Sequence, residues 1–234
     1  MNTGSVPMTS MMTERRIRLA AFDFDGTLVQ TEALGMRYTI SQLKAHHIVF
    51  THDDIAALSG ANGDTRPIVM DARFADQQGW QKCRDEVVSM RGFGPVNLNT
   101  IVSPNASVLL SWLVHHGTVC AVCTNSSEER VRKGLQEIGL DWYIQRIYSP
   151  RDGGLPKPDP WVYQQAMQDA HASGAQTIVL EDSKAGIEAG KRAGAFVISL
   201  KDHDGYCDQS QADRRVDSLA EVIGIVRALE RQEK

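Results

Sequence analysis

Two pairs of acidic residues that follow apolar runs are the first candidates for chemistry in this sequence. Asp23 and Asp25 stand two positions apart at the end of the run IRLAAFDFD, directly before Gly26. Glu181 and Asp182 end a second run, TIVLED. Carboxylates that converge at strand ends repel one another unless a cation joins them. Hard carboxylate oxygens without a Cys or His cluster favour Mg²⁺, which prefers octahedral oxygen ligation.

Three further polar residues occupy comparable places in the chain. Thr124 and Asn125 end the run TVCAVCTN, and Lys157 lies in the Pro-bracketed loop LPKPDP. Taken singly, Lys157 is better explained as a solvated loop lysine, and Thr124 as an ordinary helix-capping hydroxyl. Together with a metal, however, a hydroxyl, an amide and an ammonium group can neutralise the charge of a transferring phosphoryl group.

The elements that must position these residues are buried strands, several of them followed by a helix. We predict strands at 17–25, 118–125, 146–150, 177–182 and 195–200. Helical patterns, SEERVRKGLQEIG and KAGIEAGKRAG, follow two of them. This alternation predicts an α/β fold, a Rossmann-like doubly wound parallel sheet with helices on both faces. Ligands of such sheets bind outside the carboxyl ends of the strands, where the polar residues lie.

A long helical segment separates the first two predicted strands. Residues 31–99 contain patterns such as EALGMRYTISQLKAHH and GWQKCRDEVVSMRG and little strand character. Because this length is too great for a simple crossover, we predict an inserted helical cap with hinges near 30–31 and 94–99. The core then comprises 17–30 and 100–234, after a flexible leader at 1–16. Within the cap, the glycine-flexed turn 59–69 carries Asn62, Asp64 and Arg66.

Composition excludes several classes of function. The formal net charge is −4 and the basic residues are scattered, so we expect no nucleic-acid partner. No apolar stretch approaches the roughly 20 residues needed to cross a bilayer, and the N-terminus lacks a secretory signal, so we expect a cytoplasmic protein without a membrane partner. The four cysteines are too few for a disulfide scaffold. Cys120 and Cys123, three apart in a strand, should point to opposite faces of the sheet.

The order of the motifs resembles a known family. DFDGT at 23–27, TN at 124–125, KPDP from Lys157 and ED at 181–182 are similar to the motifs of the haloacid dehalogenase-like superfamily. The likeness spans about 18–200 and is to the phosphatase branch with a helical cap, the phosphoglycolate phosphatase and beta-phosphoglucomutase-like group. This resemblance implies the predicted fold and a phosphatase that forms an aspartyl-phosphate.

The resemblance also implies roles for the catalytic candidates. Asp23 would attack phosphorus, Asp25 would protonate the leaving alcohol and then activate water, and Thr124 and Lys157 would hold the phosphoryl oxygens. An acid can both protonate the leaving group and later activate water when nearby negative charge raises its pKa. We therefore expect a raised pKa at Asp25.

The same resemblance implies a metal site and substrate contacts. Mg²⁺ would bind Asp23, the backbone carbonyl of Asp25, and Asp182, with Glu181 either ligating or supporting. The candidate substrate-binding residues are Thr27, Asn125 and Arg66, of which Arg66 would hold a second anionic or hydroxylated part of the substrate.

Related activities remain as alternatives. Dehalogenases of this superfamily lack an aspartate at the position of Asp25. Similar beta-phosphoglucomutases carry a cap histidine where Gly35 stands here, and phosphonoacetaldehyde hydrolases need an early cap lysine, whereas the first one here is Lys44. A non-catalytic phosphate-binding protein is the remaining reading. We predict a Mg²⁺-dependent phosphomonoesterase acting on a small phosphorylated metabolite, such as a sugar phosphate, as a monomer or homodimer.

Overall fold

A parallel sheet forms the centre of the fold. The computed structural model describes residues 16–59, 66–89, 96–150 and 153–231. Its strands are β1 (Leu19–Phe22), β2 (Val119–Cys123), β3 (Arg146–Tyr148), β4 (Thr177–Glu181), β5 (Phe196–Leu200) and β6 (Arg214–Val216). They lie in the order β3-β2-β1-β4-β5-β6, and every neighbouring pair is parallel. The predicted parallel α/β sheet is therefore confirmed.

Each of the five predicted strand runs contains an observed strand, but the observed strands are shorter. β1 ends at Phe22, so the motif that begins with Asp23 lies in the loop that follows the strand. The sequence analysis did not predict β6, a three-residue edge strand of sequence RRV. Its two arginines are exposed, so it has no apolar run from which a strand could be inferred.

Helices cover both faces of the sheet. Those described are α1 (Thr31–Ala45), α2 (His52–Ser59), α3 (Arg66–Phe74), α4 (Trp80–Ser89), α5 (Ala106–His115), α6 (Glu128–Glu137), α7 (Trp161–Asp169), α8 (Lys184–Arg192) and α9 (Glu221–Arg231). Side chains of α5, α6 and α9 pack on one face of the sheet in the first core cluster. Those of α7 and α8 pack on the other face in the second. The sheet is thus doubly wound.

The two neighbouring cysteines illustrate the alternation of side chains along β2. Cys120 belongs to the first core cluster and Cys123 to the second, on opposite faces of the sheet. Both are buried and free, as predicted. Neither disulfide nor metal chemistry is available to a pair of thiols separated in this way.

The helices α1 to α4 have a hydrophobic cluster of their own. Leu43, Ile55, Met70 and Phe74 are among its buried members, and Tyr206, from the loop after β5, packs against it. The assignment of 31–99 as an inserted cap stays a prediction. Its turn residues Asn62 and Asp64, hinge residues 94–95 and leader residues 1–15 lie outside the described residues. Over the part of the chain that the structure describes, every helix is too short or too polar to span a bilayer.

Candidate active site

The candidate site lies where β1 and β4 end side by side. Asp23 directly follows β1, and its backbone N–H donates to the carbonyl of Leu180 at 2.9 Å, which continues the strand pairing. Gly26 turns the chain with φ of 90°. A Cβ atom on Gly26 would lie 2.0 Å from Oδ2 of Asp182, so only glycine lets this loop approach the end of β4.

A buried ammonium group links the two strand ends. Nζ of Lys157 lies 2.6 Å from Oδ1 of Asp23 and 2.6 Å from Oε1 of Glu181. Burial disfavours the charged ammonium, but both carboxylates outweigh this and raise the pKa of Lys157. The positive charge is therefore fixed beside Asp23.

Glu181 is the anchor of this arrangement. Its Oε1 also accepts the hydroxyl of Tyr163 at 2.9 Å, and the ring of Tyr163 lies 5.2 Å from Nζ of Lys157. Its Oε2 accepts the backbone N–H groups of Asp182 and Ser183 and the hydroxyl of Ser183, at 3.0, 3.1 and 3.0 Å. Burial alone would raise the pKa of Glu181, but Lys157 and these donors lower it.

Three carboxylates of the site can converge on one cation. Oxygens of Asp23, Glu181 and Asp182 lie within 4.8 Å of one another. Burial, aided by the charges of Glu181 and Asp23, raises the pKa of Asp182 well above its usual range. Burial likewise raises the pKa of Asp23 to about 8, against the charge of Lys157 and with that of Glu181. A hard divalent cation fits this set of crowded oxygen donors.

Asp25 is held away from this cluster by four hydrogen bonds. The hydroxyls of Thr31 and Ser126 donate to its two oxygens at 2.6 and 2.7 Å. The guanidinium of Arg130 contacts both oxygens, with Nη2 at 2.7 Å from Oδ1. Burial would raise the pKa of Asp25, but Arg130, Thr31 and Ser126 lower it overall. The expectation of a raised pKa at Asp25 is therefore wrong, because an arginine faces this carboxylate.

The remaining candidates divide between the site and its surroundings. The hydroxyl of Thr27 donates to Oδ1 of Asp182 at 3.0 Å. Asn125 accepts the N–H of Lys157 at 2.9 Å and donates to its carbonyl at 3.4 Å, so its amide holds the lysine loop. Thr124 is buried, and its hydroxyl accepts the N–H of Ser126.

Arg66 contacts residues of two neighbouring helices. It is on α3, where Nη2 pairs with Glu32 at 2.8 Å and Nε donates to the carbonyl of Leu58 at 3.3 Å. These contacts join α3 to α1 and α2 and do not include the carboxylates of the site.

Comparison with known proteins agrees with this geometry. A family model described as haloacid dehalogenase-like hydrolase matches residues 20–200. The chain belongs to this family. The match includes all of β1 except Leu19, the strands β2 to β5, and every site residue described above. The motifs quoted from the sequence thus coincide with the matched region.

Named relatives of this haloacid dehalogenase-like hydrolase include phosphatases. Validoxylamine A 7′-phosphate phosphatase of Streptomyces hygroscopicus subsp. limoneus is 26% identical over 206 residues, which cover 88% of this chain and 95% of that protein. A phosphoglycolate phosphatase of Pseudomonas savastanoi pv. phaseolicola is 26% identical over 195 residues, 78% of this chain and 69% of that protein.

A solved structure confirms the fold of the hydrolase. The crystal structure of a conserved haloacid dehalogenase-like protein from Agrobacterium tumefaciens str. C58 matches with a TM-score of 0.71 at 21% identity. The match covers 91% of this chain and 99% of that one.

Four residues of the hydrolase site were missed by the sequence analysis. Thr31, Ser126 and Arg130 surround Asp25, and Tyr163 supports Glu181. Ser126 directly follows the TN motif, which was a usable signal. Arg130 and Tyr163 lie on helices among ordinary polar and apolar neighbours, and nothing in the local pattern distinguishes them.

Proposed function

We propose that this chain is a Mg²⁺-dependent phosphomonoesterase that hydrolyses a small phosphorylated metabolite through an aspartyl-phosphate on Asp23. The observation that carries the proposal is the buried ammonium of Lys157, 2.6 Å from both Asp23 and Glu181, beside Asp182. The fixed positive charge beside Asp23 supports its role as a carboxylate nucleophile. Such a nucleophile divides a difficult hydrolysis into two easier displacements.

The residues of the chain have separate tasks in this proposal. Asp23 attacks phosphorus, while Lys157 and Thr124 hold the phosphoryl oxygens and balance their charge. Asn125 fixes the loop that carries Lys157. Asp25 gives a proton to the leaving oxygen and later takes one from water.

Mg²⁺ would be held by Asp23, the backbone carbonyl of Asp25, and Asp182. When bound, it would supply Lewis-acid stabilisation of the charge on the phosphoryl group. Glu181 already accepts donors on both oxygens, which supports a role as the anchor for Lys157. Thr27 supports Asp182 through its hydroxyl.

The substrate class rests on the relatives. The two relatives described above are named for phosphomonoesters that carry polar or carboxylate groups. Arg66 remains our candidate for holding the far end of the substrate from the cap side. A cytoplasmic location and a monomeric or homodimeric state are retained as predictions.

Phosphate release from a panel of phosphorylated metabolites, with Mg²⁺ and with a chelator, tests the proposal. Asp23→Asn should abolish release and remain folded, because it removes the nucleophile with almost no change in volume. Asp85→Asn, at an exposed aspartate on α4 that accepts the side-chain amide of Gln81 at 3.0 Å, should keep wild-type rates. Chelator-sensitive release that persists in Asp23→Asn would contradict the mechanism. An isomerised product without free phosphate would establish the phosphomutase alternative instead.

A further inference from the structure

Arg130 presents its guanidinium to a carboxylate in a forked geometry. The residue lies in the first turn of α6, and its two terminal nitrogens contact the two oxygens of Asp25. Nη1 also lies 3.0 Å from the hydroxyl of Ser126, and the guanidinium lies 5.8 Å from the ring centre of Phe24. The Arg130 side chain is 43% exposed, whereas that of Asp25 is 15% exposed.

We propose that Arg130 recognises a second anionic group of the substrate, and that the carboxylate of Asp25 stands in for this group in the present structure. The proposal rests on the proposed function and deepens it. The substrate is then a phosphomonoester that also carries a carboxylate or a second phosphate.

The first argument is that Asp25 cannot act while it is held in this way. Its two oxygens accept hydrogen bonds from Thr31, Ser126 and Arg130. Protonation of a leaving oxygen requires hydrogen-bond contact with that oxygen, so Asp25 must give up at least part of this set. When Asp25 turns towards the phosphoryl group, the two terminal nitrogens of Arg130 lose their carboxylate partner.

The second argument is that the guanidinium stays ordered when Asp25 leaves. Arg130 has two partners besides Asp25, the hydroxyl of Ser126 at 3.0 Å and the ring of Phe24 at 5.8 Å. A planar guanidinium fixed on one side and partly exposed on the other matches a carboxylate or a phosphate through two parallel hydrogen bonds.

The third argument comes from the charges across the boundary with the helical segment. Glu32, in the first turn of α1, pairs with Arg66 at 2.8 Å, and its charge also acts on Arg130. Glu32 thus pairs directly with Arg66 and acts on Arg130 through its charge. A second negative charge on the substrate can replace the effect of Glu32 on Arg130. It can also offset the positive charge of Arg130, which is left unpaired when Asp25 turns away.

The test compares matched substrates that differ in the second anion. One pair is 2-phosphoglycolate with 2-hydroxyethyl phosphate, and the other is 1,3-propanediol bisphosphate with its monophosphate. We expect wild type to have the higher kcat/KM for the doubly anionic member of at least one pair. Whichever pair responds identifies the anion as carboxylate or phosphate.

The variants separate recognition from the positioning of Asp25. Arg130→Gln should reduce the preference for the doubly anionic substrate by at least about tenfold, mainly through KM, because a hydrogen bond to a charged group is lost. Arg130→Lys, which keeps the charge without the fork, should retain part of the preference. Thr31→Val removes a donor to Asp25 but no cation, so it should slow both substrates of a pair alike.

Three results would overturn the assignment of Arg130. They are a wild type with no preference for the second anion, an unchanged preference in both Arg130 variants, and an equal loss of preference in Thr31→Val. Thermal unfolding of each variant checks that it is folded, and Arg130→Lys serves if Arg130→Gln is not. Absence of phosphate release by wild type from every substrate would instead refute the proposed function.

Discussion

Replacing Lys157 with methionine tests how the buried carboxylates of the site are held. Lys157 is 5% exposed, and its ammonium lies 2.6 Å from both Asp23 and Glu181. Methionine keeps the apolar stem but leaves the two carboxylates facing each other without the cation. Removing one partner of a buried ion pair costs about 3–5 kcal/mol. For a chain of this size, we expect the melting temperature to fall by about 6–20 °C.

The loss should depend on pH in a defined direction. Burial raises the pKa of Glu181, but Lys157 and the neighbouring donors lower it in wild type, so losing the ammonium raises the pKa of Glu181 in the variant. Asp23, whose pKa is about 8 with Lys157 present, contributes alike to both proteins below that pH. A carboxyl group with a folded-state pKa above its unfolded value binds more protons when folded, so stability falls as pH rises through that interval. The variant should therefore be closest to wild type near pH 5 and furthest from it near pH 8.

Urea denaturation followed by circular dichroism, in the presence of a chelator, measures this difference. Lys191→Met is the matched control, because its pair with Asp213 has the same 2.6 Å separation but side chains that are 37% and 26% exposed. Such a pair contributes about 0–1 kcal/mol. If Lys157→Met lies within about 1 kcal/mol of wild type at pH 8, the Lys157 bridge does not hold the site together as reasoned here.

Two further predictions follow from close contacts in the core. Gly26→Ala should cost about 1–2 kcal/mol of stability, because the backbone conformation at this position disfavours a side chain. The new Cβ atom would also lie 2.0 Å from Asp182, so the variant should bind Mg²⁺ more weakly in calorimetry. Unchanged Mg²⁺ affinity would contradict this. Cys120 and Cys123 should resist a thiol-labelling reagent in the native protein, because burial raises the pKa of both thiols, that of Cys120 to about 12. Labelling at the rate of the urea-unfolded chain would count against that prediction.

Asp25 shows where reasoning from motifs alone gave a wrong result. The sequence places it near other carboxylates, and that proximity predicts a raised pKa. The structure brings Arg130 against it from 105 residues away. Burial would raise the pKa of Asp25, but Arg130 together with Thr31 and Ser126 lowers it. Arg130 is present in the sequence, but its pairing with Asp25 depends on the position of the first turn of α6 in the tertiary structure.

The position of the site, by contrast, was predictable. Apolar runs of strand length, each ending in polar residues, predict parallel strands, and the carboxyl ends of parallel strands meet at one edge of the sheet. Asp23 and Asp182 come together for this reason, at the ends of β1 and β4. The alternation of side chains also predicted the separation of Cys120 and Cys123.

The sequence by itself therefore determined the parallel α/β class, the strand ends where the candidate site lies and the residue types gathered there, because these depend on local periodicity and on short motifs. Only the tertiary structure decided which donors each carboxylate accepts. In the tertiary structure, Glu181 accepts hydrogen bonds from Lys157, from Tyr163 and from the backbone at the start of α8. Asp25 instead accepts hydrogen bonds from Arg130. Such contacts join residues far apart in the chain, and helix packing fixes them to within a fraction of an ångström, which no local pattern encodes.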